Sequence, residues 1–118
     1  MSLQPVSIKQ LRYWFNRINC LAFDGKLAKT VLQIVDSNEW VACTGRCRVL
    51  TPKKDKKWDK ERLFVIKINK KTQFSRSLVV ISLAHEMIHV EHWGWGHGTR
   101  FENRMLEVIK AAKLERFL

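Results

Sequence analysis

The sequence predicts a compact α+β domain that combines an N-terminal helix, a small antiparallel sheet, a buried helix bearing histidines and a C-terminal helix. Three observations predict this class: apolar residues recur with a helical period near both ends of the chain, β-branched segments lie between them, and one stretch is apolar on nearly every side. The chain has 118 residues, 46% of them hydrophobic, which suits one packed domain. Residues 1–118 are therefore expected to form a single domain.

The N-terminal helix has clear start and stop signals. Ser7 and Gln10 have the spacing of a capping box, in which each side chain bonds the backbone N–H of the other residue. Asp24 and Gly25 end the pattern, because both residue types favour turns. The apolar positions between these signals follow a helical period: Ile8, Leu11, Phe15, Ile18 and Ala22. The spacing predicts a helix from Ile8 to Phe23.

Three segments in the middle of the chain have the composition of strands. Val31–Val35 is rich in β-branched residues, Trp40–Leu50 is interrupted by Gly45, and Leu63–Ile68 is strongly apolar. We expect these segments to form a small, mainly antiparallel sheet. Thr51–Lys60 contains a proline, five lysines and two aspartates, so it is predicted to be an exposed basic loop.

Two further helices are predicted after the strands. The stretch from Ser77 to about Trp93 is apolar nearly all round, which indicates a buried helix. Thr99 and Glu102 have the spacing of a second capping box, and begin the last helix. The loop between the two helices holds three glycines that allow a sharp turn: Gly94, Gly96 and Gly98. The last helix packs through a stripe of apolar residues: Phe101, Met105, Val108, Ile109 and Ala112.

The charge of the chain points to a polyanionic partner such as nucleic acid. The net charge is +11, and the stretch from Arg46 to Arg76 carries +9 of it, with twelve Lys or Arg against three acidic residues. The basic loop pairs cations with one aromatic side chain, as single-strand binders do: Lys53, Lys54, Lys56, Lys57, Trp58 and Lys60. The alternative is a solvated loop with one partly buried tryptophan.

Cysteine usage and the apolar runs indicate a cytoplasmic protein without a membrane segment. The three cysteines are odd in number and their spacing describes no disulfide framework, which fits a reducing compartment. Cys43 and Cys47 supply only half of a tetrahedral ligand set and are expected to be structural thiols. No apolar run approaches the length of a bilayer span, and the N-terminus lacks the pattern of a signal peptide.

The candidate chemistry lies in the predicted buried helix, where residues 85–89 read H-E-x-x-H. At 3.6 residues per turn, His85 and His89 lie one above the other on one face and can chelate a metal. Glu86 projects about 100° away from His85, beside the metal, where it can accept a proton from water. The alternative is a buried helix whose two histidines and glutamate bind no metal. Each of these three polar side chains would then need another hydrogen-bonding partner on an otherwise apolar helix. We therefore expect a metal, with zinc as the leading candidate.

The third ligand has several candidates. All four histidines fall within thirteen residues, and the remaining two are His92 and His97. The Cα atom of His92 lies about 10.5 Å beyond that of His85 along a straight helix, too far for one ion with bonds near 2.1 Å. His97 follows the glycines and can fold back onto the ion, so it is preferred. Glu102 and Glu107 are further alternatives.

These residues resemble a known family. His85-Glu-Met-Ile-His89, followed by His97-Gly98 and then Phe101, is similar to the SprT-like metalloprotease domain, whose members include the Spartan proteases that degrade DNA–protein crosslinks. The resemblance extends to Phe23-Asp24-Gly25-Lys26-Leu27 and to Cys43-Thr-Gly45-Arg-Cys47, and covers roughly Leu11 to Met105. The short interval from His89 to His97 is closer to the bacterial branch than to Spartan-type members.

The resemblance implies a zincin-like fold with one zinc ion per chain on His85, His89 and His97, and Glu86 as the catalytic residue. It implies hydrolysis of peptide bonds in protein substrates, including proteins bound to DNA, with single-stranded DNA as the favoured polyanion. A DNA-associated enzyme would reside in the nucleoid or nucleus rather than the general cytoplasm, and a monomer is favoured. Two alternatives stay open: a nucleic-acid-binding module with a structural zinc, and a metallohydrolase that acts on a non-protein substrate.

Overall fold

The computed structural model of the chain describes residues 7–27, 29–35, 45–49, 64–69, 76–92 and 94–118. Its elements follow the order α1 (Ile8–Ala22), β1 (Thr30–Val35), β2 (Gly45–Val49), β3 (Phe64–Asn69), α2 (Arg76–Glu91), α3 (Thr99–Ala111) and a short 3-10 helix (Glu115–Phe117). The α+β class with three α-helices and a small sheet is confirmed. In the part of the chain that the structure describes, no helix has the length and apolarity needed to span a bilayer.

Helix α1 begins at the predicted residue and ends at Ala22, one residue before the predicted end. The Ser7 hydroxyl accepts a hydrogen bond from the Gln10 backbone N–H at 3.2 Å, and the Ser7 N–H donates to the Gln10 side chain at 2.9 Å. This reciprocal pair satisfies two of the N–H groups that a helix start leaves free. At the other end, Asp24 and Gly25 adopt positive φ values of 55° and 70°, which stop the helix.

The sheet corrects the prediction of an antiparallel arrangement. Its order is β1-β3-β2, and β3 in the centre pairs parallel with β1 and antiparallel with β2. Ile66 of β3, for example, lies opposite Leu32 on one side and Cys47 on the other. The prediction was wrong because strand composition indicates extended backbone but carries no information about direction. The segment 36–63, which contains β2, is long enough to return the chain for a parallel pairing.

Helix α2 lies at the centre of the core. It packs against β2 and β3 and also against α1 and α3. Because it is surrounded, its apolar side chains are buried on several faces: Val79, Val80, Leu83, Ala84, Met87, Ile88 and Val90. The predicted buried helix is therefore confirmed, with its end at Glu91 and with position 93 outside the described residues.

Helix α3 differs from its prediction at the first turn. Gly98 occupies the N-cap position in an extended conformation, and no side chain caps the helix. The first helical hydrogen bond runs from the Glu102 N–H to the Gly98 carbonyl at 3.0 Å. Thr99 is therefore the first helical residue, and the predicted capping box of Thr99 with Glu102 is wrong. Thr99 and Glu102 are suitable residue types for a capping box, but Thr99 lies one position after the N-cap, so its side chain does not cap the helix.

Candidate metal centre

Two histidines of α2 face the same direction, as the helical period predicts. His85 and His89 are one turn apart, their ring centroids are 5.0 Å apart, and their Nε2 atoms are 3.3 Å apart. Both rings are half-buried on a helix whose other faces pack into the core. The rigid backbone of α2 therefore fixes the spacing of these two nitrogens.

His97 joins the pair from the loop between α2 and α3. Its Nε2 atom lies 3.1 Å from that of His85 and 2.9 Å from that of His89. The three side chains form the one group of metal-ligand type found among the described residues. His97 is exposed, so the cluster is buried on the helix side and open to solvent on the loop side.

The three nitrogens fit the ligand set of one metal ion. Two nitrogens bound at about 2.0–2.1 Å to a tetrahedral ion stand about 3.3–3.4 Å apart, which is near the separations between the three Nε2 atoms. Burial, and then the neighbouring His89 and His97, lower the pKa of His85 from 6.5 to about 4. Burial and His97 likewise lower the pKa of His89. Both rings are thus neutral near pH 7 and present lone pairs, which a cation can accept.

Phe101 of α3 lies against all three imidazoles. Its ring centroid is 4.6 Å from that of His85, 4.9 Å from that of His89 and 5.0 Å from that of His97. The residue itself is only 5% exposed. The sequence predicts that Phe101 packs in the last helix and resembles part of a family motif, but local spacing does not reveal its position against the rings. Its apolar face limits the orientations that the three histidines can adopt.

Glu86, which follows His85 on α2, carries a buried carboxyl group. The residue is 6% exposed, and burial raises the pKa of its carboxyl from 4.5 to about 7. In the part of the chain that the structure describes, its side chain has neither a hydrogen bond nor an ion pair. A carboxyl group in this setting is a strong candidate for a functional role, since burying it without a partner destabilises the protein.

The rival third ligands do not join the cluster. The His92 ring stacks on Trp95, with centroids 3.6 Å apart and an interplanar angle of 6°, and its Nε2 atom lies 3.2 Å from the Glu91 carboxylate. Glu107 accepts a hydrogen bond from Arg104 at 3.3 Å, and Glu102 is exposed on the first turn of α3. Of the candidates that the sequence offers, the structure brings only His97 to His85 and His89.

An ion pair that sequence analysis missed connects α1, α2 and α3. The Arg104 guanidinium donates to both carboxylate oxygens of Glu91, at 2.7 and 2.8 Å, and also to the Ala22 carbonyl at 2.8 Å. Its guanidinium also lies over the Phe23 ring, 4.9 Å from the centroid. The sequence does not reveal the contacts of Arg104 with Glu91 and Ala22, because these residues are distant from it along the chain. The only ion pair of Arg104 that spacing indicates is the i,i+3 pair with Glu107.

The predicted nucleic-acid contacts lie outside the described residues. These positions are Lys53, Lys54, Lys56, Lys57, Trp58 and Lys60. The structure therefore does not test them, and the sequence alone supports that prediction. Cys43 is also outside the described residues, while Cys20 is a free, exposed thiol on α1.

Comparison with known proteins adds no assignment: no protein-family model, curated protein or solved structure matches the chain. The resemblance to the SprT-like family consequently stays a prediction that rests on the residues quoted above. The geometry of the histidine cluster is the basis for the function proposed next.

Proposed function

We propose that the chain is a zinc-dependent peptidase of SprT-like, zincin-like type. The observation that carries this proposal is the convergence of three Nε2 atoms, 2.9 to 3.3 Å apart, with a buried carboxyl group on Glu86, the residue that follows His85. One zinc ion would be bound by His85, His89 and His97. Glu86 would accept a proton from the attacking water molecule. Neutral imidazoles suit zinc, and three histidine ligands are a known catalytic set.

The number of ligands favours a catalytic over a structural metal. Structural zinc sites use four protein ligands, whereas catalytic sites use three and leave one position for water or substrate. Among the described residues, no other His, Cys, Asp or Glu belongs to the cluster. The exposed His97 lies on the side from which a substrate can approach. Both features support hydrolysis rather than a metal that only stabilises the fold.

Zinc supplies Lewis-acid activation of water and of the substrate carbonyl near neutral pH. Glu86 supplies the proton transfers: its carboxylate accepts a proton from the attacking water and then passes it to the leaving amine nitrogen. With a pKa raised to about 7 before metal binding, this carboxyl can exchange a proton near neutral pH. Phe101 packs against the three imidazoles and limits their orientations.

The substrate class follows from the charge and the resemblance. The resemblance supports protein substrates. We propose that these include proteins bound to DNA, because the stretch from Arg46 to Arg76 carries +9 of the net charge of +11. DNA that binds both enzyme and substrate would raise their effective concentration without any change at the metal site.

The deciding experiment compares the zinc-loaded parent with the Glu86→Gln variant. Both should contain one zinc per chain by elemental analysis, since Glu86 is not a proposed ligand. The parent should cleave an unfolded protein such as casein, and the variant should be about 10²–10⁴-fold slower, because an amide cannot accept the proton. Equal cleavage by the two proteins would remove Glu86 from the mechanism. Stoichiometric zinc without cleavage of any protein, free or DNA-bound, would favour the non-catalytic module.

A further inference from the structure

The glycines of the loop that carries His97 do not fix the conformation of its backbone. The loop runs from His92 to Gly98 and contains Gly94, Gly96 and Gly98. None of these glycines has a positive φ, and a Cβ atom added to any of them would meet no atom within 4 Å. The glycines therefore make the loop flexible without defining its shape. Some other contact must select the conformation that places His97 beside α2.

Side-chain stacking at the start of the loop provides such a contact. The Trp95 N–H donates to the His92 carbonyl at 3.0 Å, which closes a turn, and the two side chains stack in parallel with centroids 3.6 Å apart. The guanidinium of Arg100 lies 5.1 Å from the Trp95 ring centroid, so α3 also holds the tryptophan. Trp95 thus contacts the residue that follows α2 and the second residue of α3.

The stack is anchored to the body of the domain. The His92 Nε2 atom lies 3.2 Å from Glu91, and Glu91 is held by two hydrogen bonds from Arg104. Arg104 in turn donates to the Ala22 carbonyl at the end of α1. Contacts therefore run from α1 through Arg104, Glu91 and His92 to Trp95, two residues before the proposed zinc ligand.

We propose that Trp95 is a positioning residue, which by stacking on His92 and Arg100 holds the loop so that His97 meets His85 and His89. The inference rests on the proposed zinc site. A loop held in its binding conformation loses less conformational entropy when the metal binds, and its zinc affinity is correspondingly higher. Trp95 need not touch the metal or the substrate to have this effect.

The test measures zinc affinity rather than cleavage. The Trp95→Leu variant keeps an apolar side chain but removes the flat ring, and we expect its zinc dissociation constant to rise about 10–100-fold, the range found for outer partners of metal ligands. Trp95→Phe should recover part of the loss. Trp14→Leu is a matched control, because Trp14 is also half-buried and also has an arginine near its ring, Arg116 at 5.8 Å. Its zinc affinity should equal that of the parent.

A second pair of variants separates stacking from ligation. His92→Phe keeps a ring that can stack on Trp95 but has no nitrogen for a metal, so zinc affinity should stay near the parental value. His92→Ala should weaken zinc binding, and combining it with Trp95→Leu should add little, because both remove one interaction. Circular dichroism and thermal unfolding of the zinc-free proteins show whether each variant folds.

The outcomes distinguish this inference from the proposed function. Zinc binding by the parent, together with parental affinity in folded Trp95→Leu, would overturn the positioning role and leave the peptidase proposal intact. Additive losses in the double variant would also overturn it. A folded parent that binds no zinc would overturn both proposals.

Discussion

The ring of Phe101 lies 4.6 Å from the imidazole of His85, and the same ring also contacts His89 and His97. One buried aromatic side chain on α3 therefore supports two residues of α2 and one residue of the intervening loop. The geometry of the histidine cluster depends on the docking of α3 as well as on the histidines themselves.

Replacing Phe101 by Leu should raise the zinc dissociation constant about 10–100-fold, because the three imidazoles lose their common support. Phe15→Leu is the matched control, since both phenylalanines are 5% exposed and lie in the same core. Each variant should lower the free energy of unfolding by about 0.5–3 kcal/mol. Competition with a chromogenic chelator gives the dissociation constants, and urea unfolding gives the stabilities. Equal zinc affinity in the two variants would contradict a specific role for Phe101.

Removing the third imidazole should have a larger effect on zinc than changing its surroundings. His97→Ala should weaken zinc binding by more than about 100-fold, the upper end for residues that only orient ligands. His85→Ala and His89→Ala should abolish binding, because α2 then offers a single nitrogen. Elemental analysis after gel filtration measures the zinc content. Retention of one zinc in His97→Ala, with loss in His92→Phe, would give the third-ligand role to His92.

The pH dependence of the zinc-free protein should reveal opposing effects of the buried histidines and of Glu86. Burial lowers the pKa of His85 from 6.5 to about 4, so its contribution to stability is present above pH 6.5 and is lost as pH falls towards 4. Burial raises the pKa of Glu86 from 4.5 to about 7, so its contribution is present below pH 4.5 and is lost as pH rises towards 7. Between pH 4.5 and 6.5 the two contributions change in opposite directions.

Glu86→Gln removes one of these titrations, and the zinc-free variant should therefore lose stability more steeply than the parent as pH falls from 6.5 to 4.5. Urea unfolding midpoints at several pH values measure the difference. Parallel profiles for the two proteins would show that Glu86 does not titrate in this range.

The ion pair between Arg104 and Glu91 should contribute measurably to stability, because both side chains are partly buried and the arginine bonds both carboxylate oxygens. Arg104→Ala should lower the free energy of unfolding by about 1.5–3 kcal/mol. Arg104→Lys should recover only part of this loss, since an ammonium group cannot make the forked contact. Lys110→Ala, exposed on the same helix, should change stability by no more than about 0.5 kcal/mol. Equal unfolding free energies for parent and Arg104→Ala would refute this contribution.

The basic loop should bind DNA and stimulate cleavage of DNA-bound proteins. Changing Lys53, Lys54, Lys56 and Lys57 to Glu should weaken binding, reduce its salt dependence and remove the stimulation, while slow cleavage of a free unfolded protein persists. Trp58→Ala should affect single strands more than duplexes if bases stack on it. Fluorescence anisotropy over a salt series measures the binding.

The control for this experiment makes the same change of charge elsewhere. It replaces four exposed lysines of the described residues by Glu: Lys9, Lys26, Lys29 and Lys110. If both quadruple variants lose DNA affinity equally, the overall charge and not the loop accounts for binding.

The spacing of residues along the sequence was sufficient to predict features that depend on contacts between near neighbours. The capping pair of Ser7 and Gln10 placed the start of α1, and the helical period placed His85 and His89 on one face. The reach of a single ion then favoured His97 over His92, which agrees with where the structure puts them. The start of α1 and the shared face of His85 and His89 could be predicted because hydrogen bonds and helix geometry within a few residues fix them.

Only the tertiary structure decided the relationships between distant segments. Strand composition did not reveal that β1 pairs parallel with β3, because either direction satisfies the same backbone hydrogen-bonding groups. The position of Phe101 beneath three imidazoles and the bonds from Arg104 to Glu91 and Ala22 depend on how α3 docks against α1 and α2. That docking is set by the packing of the whole core, in which side chains far apart in sequence must fill one volume together.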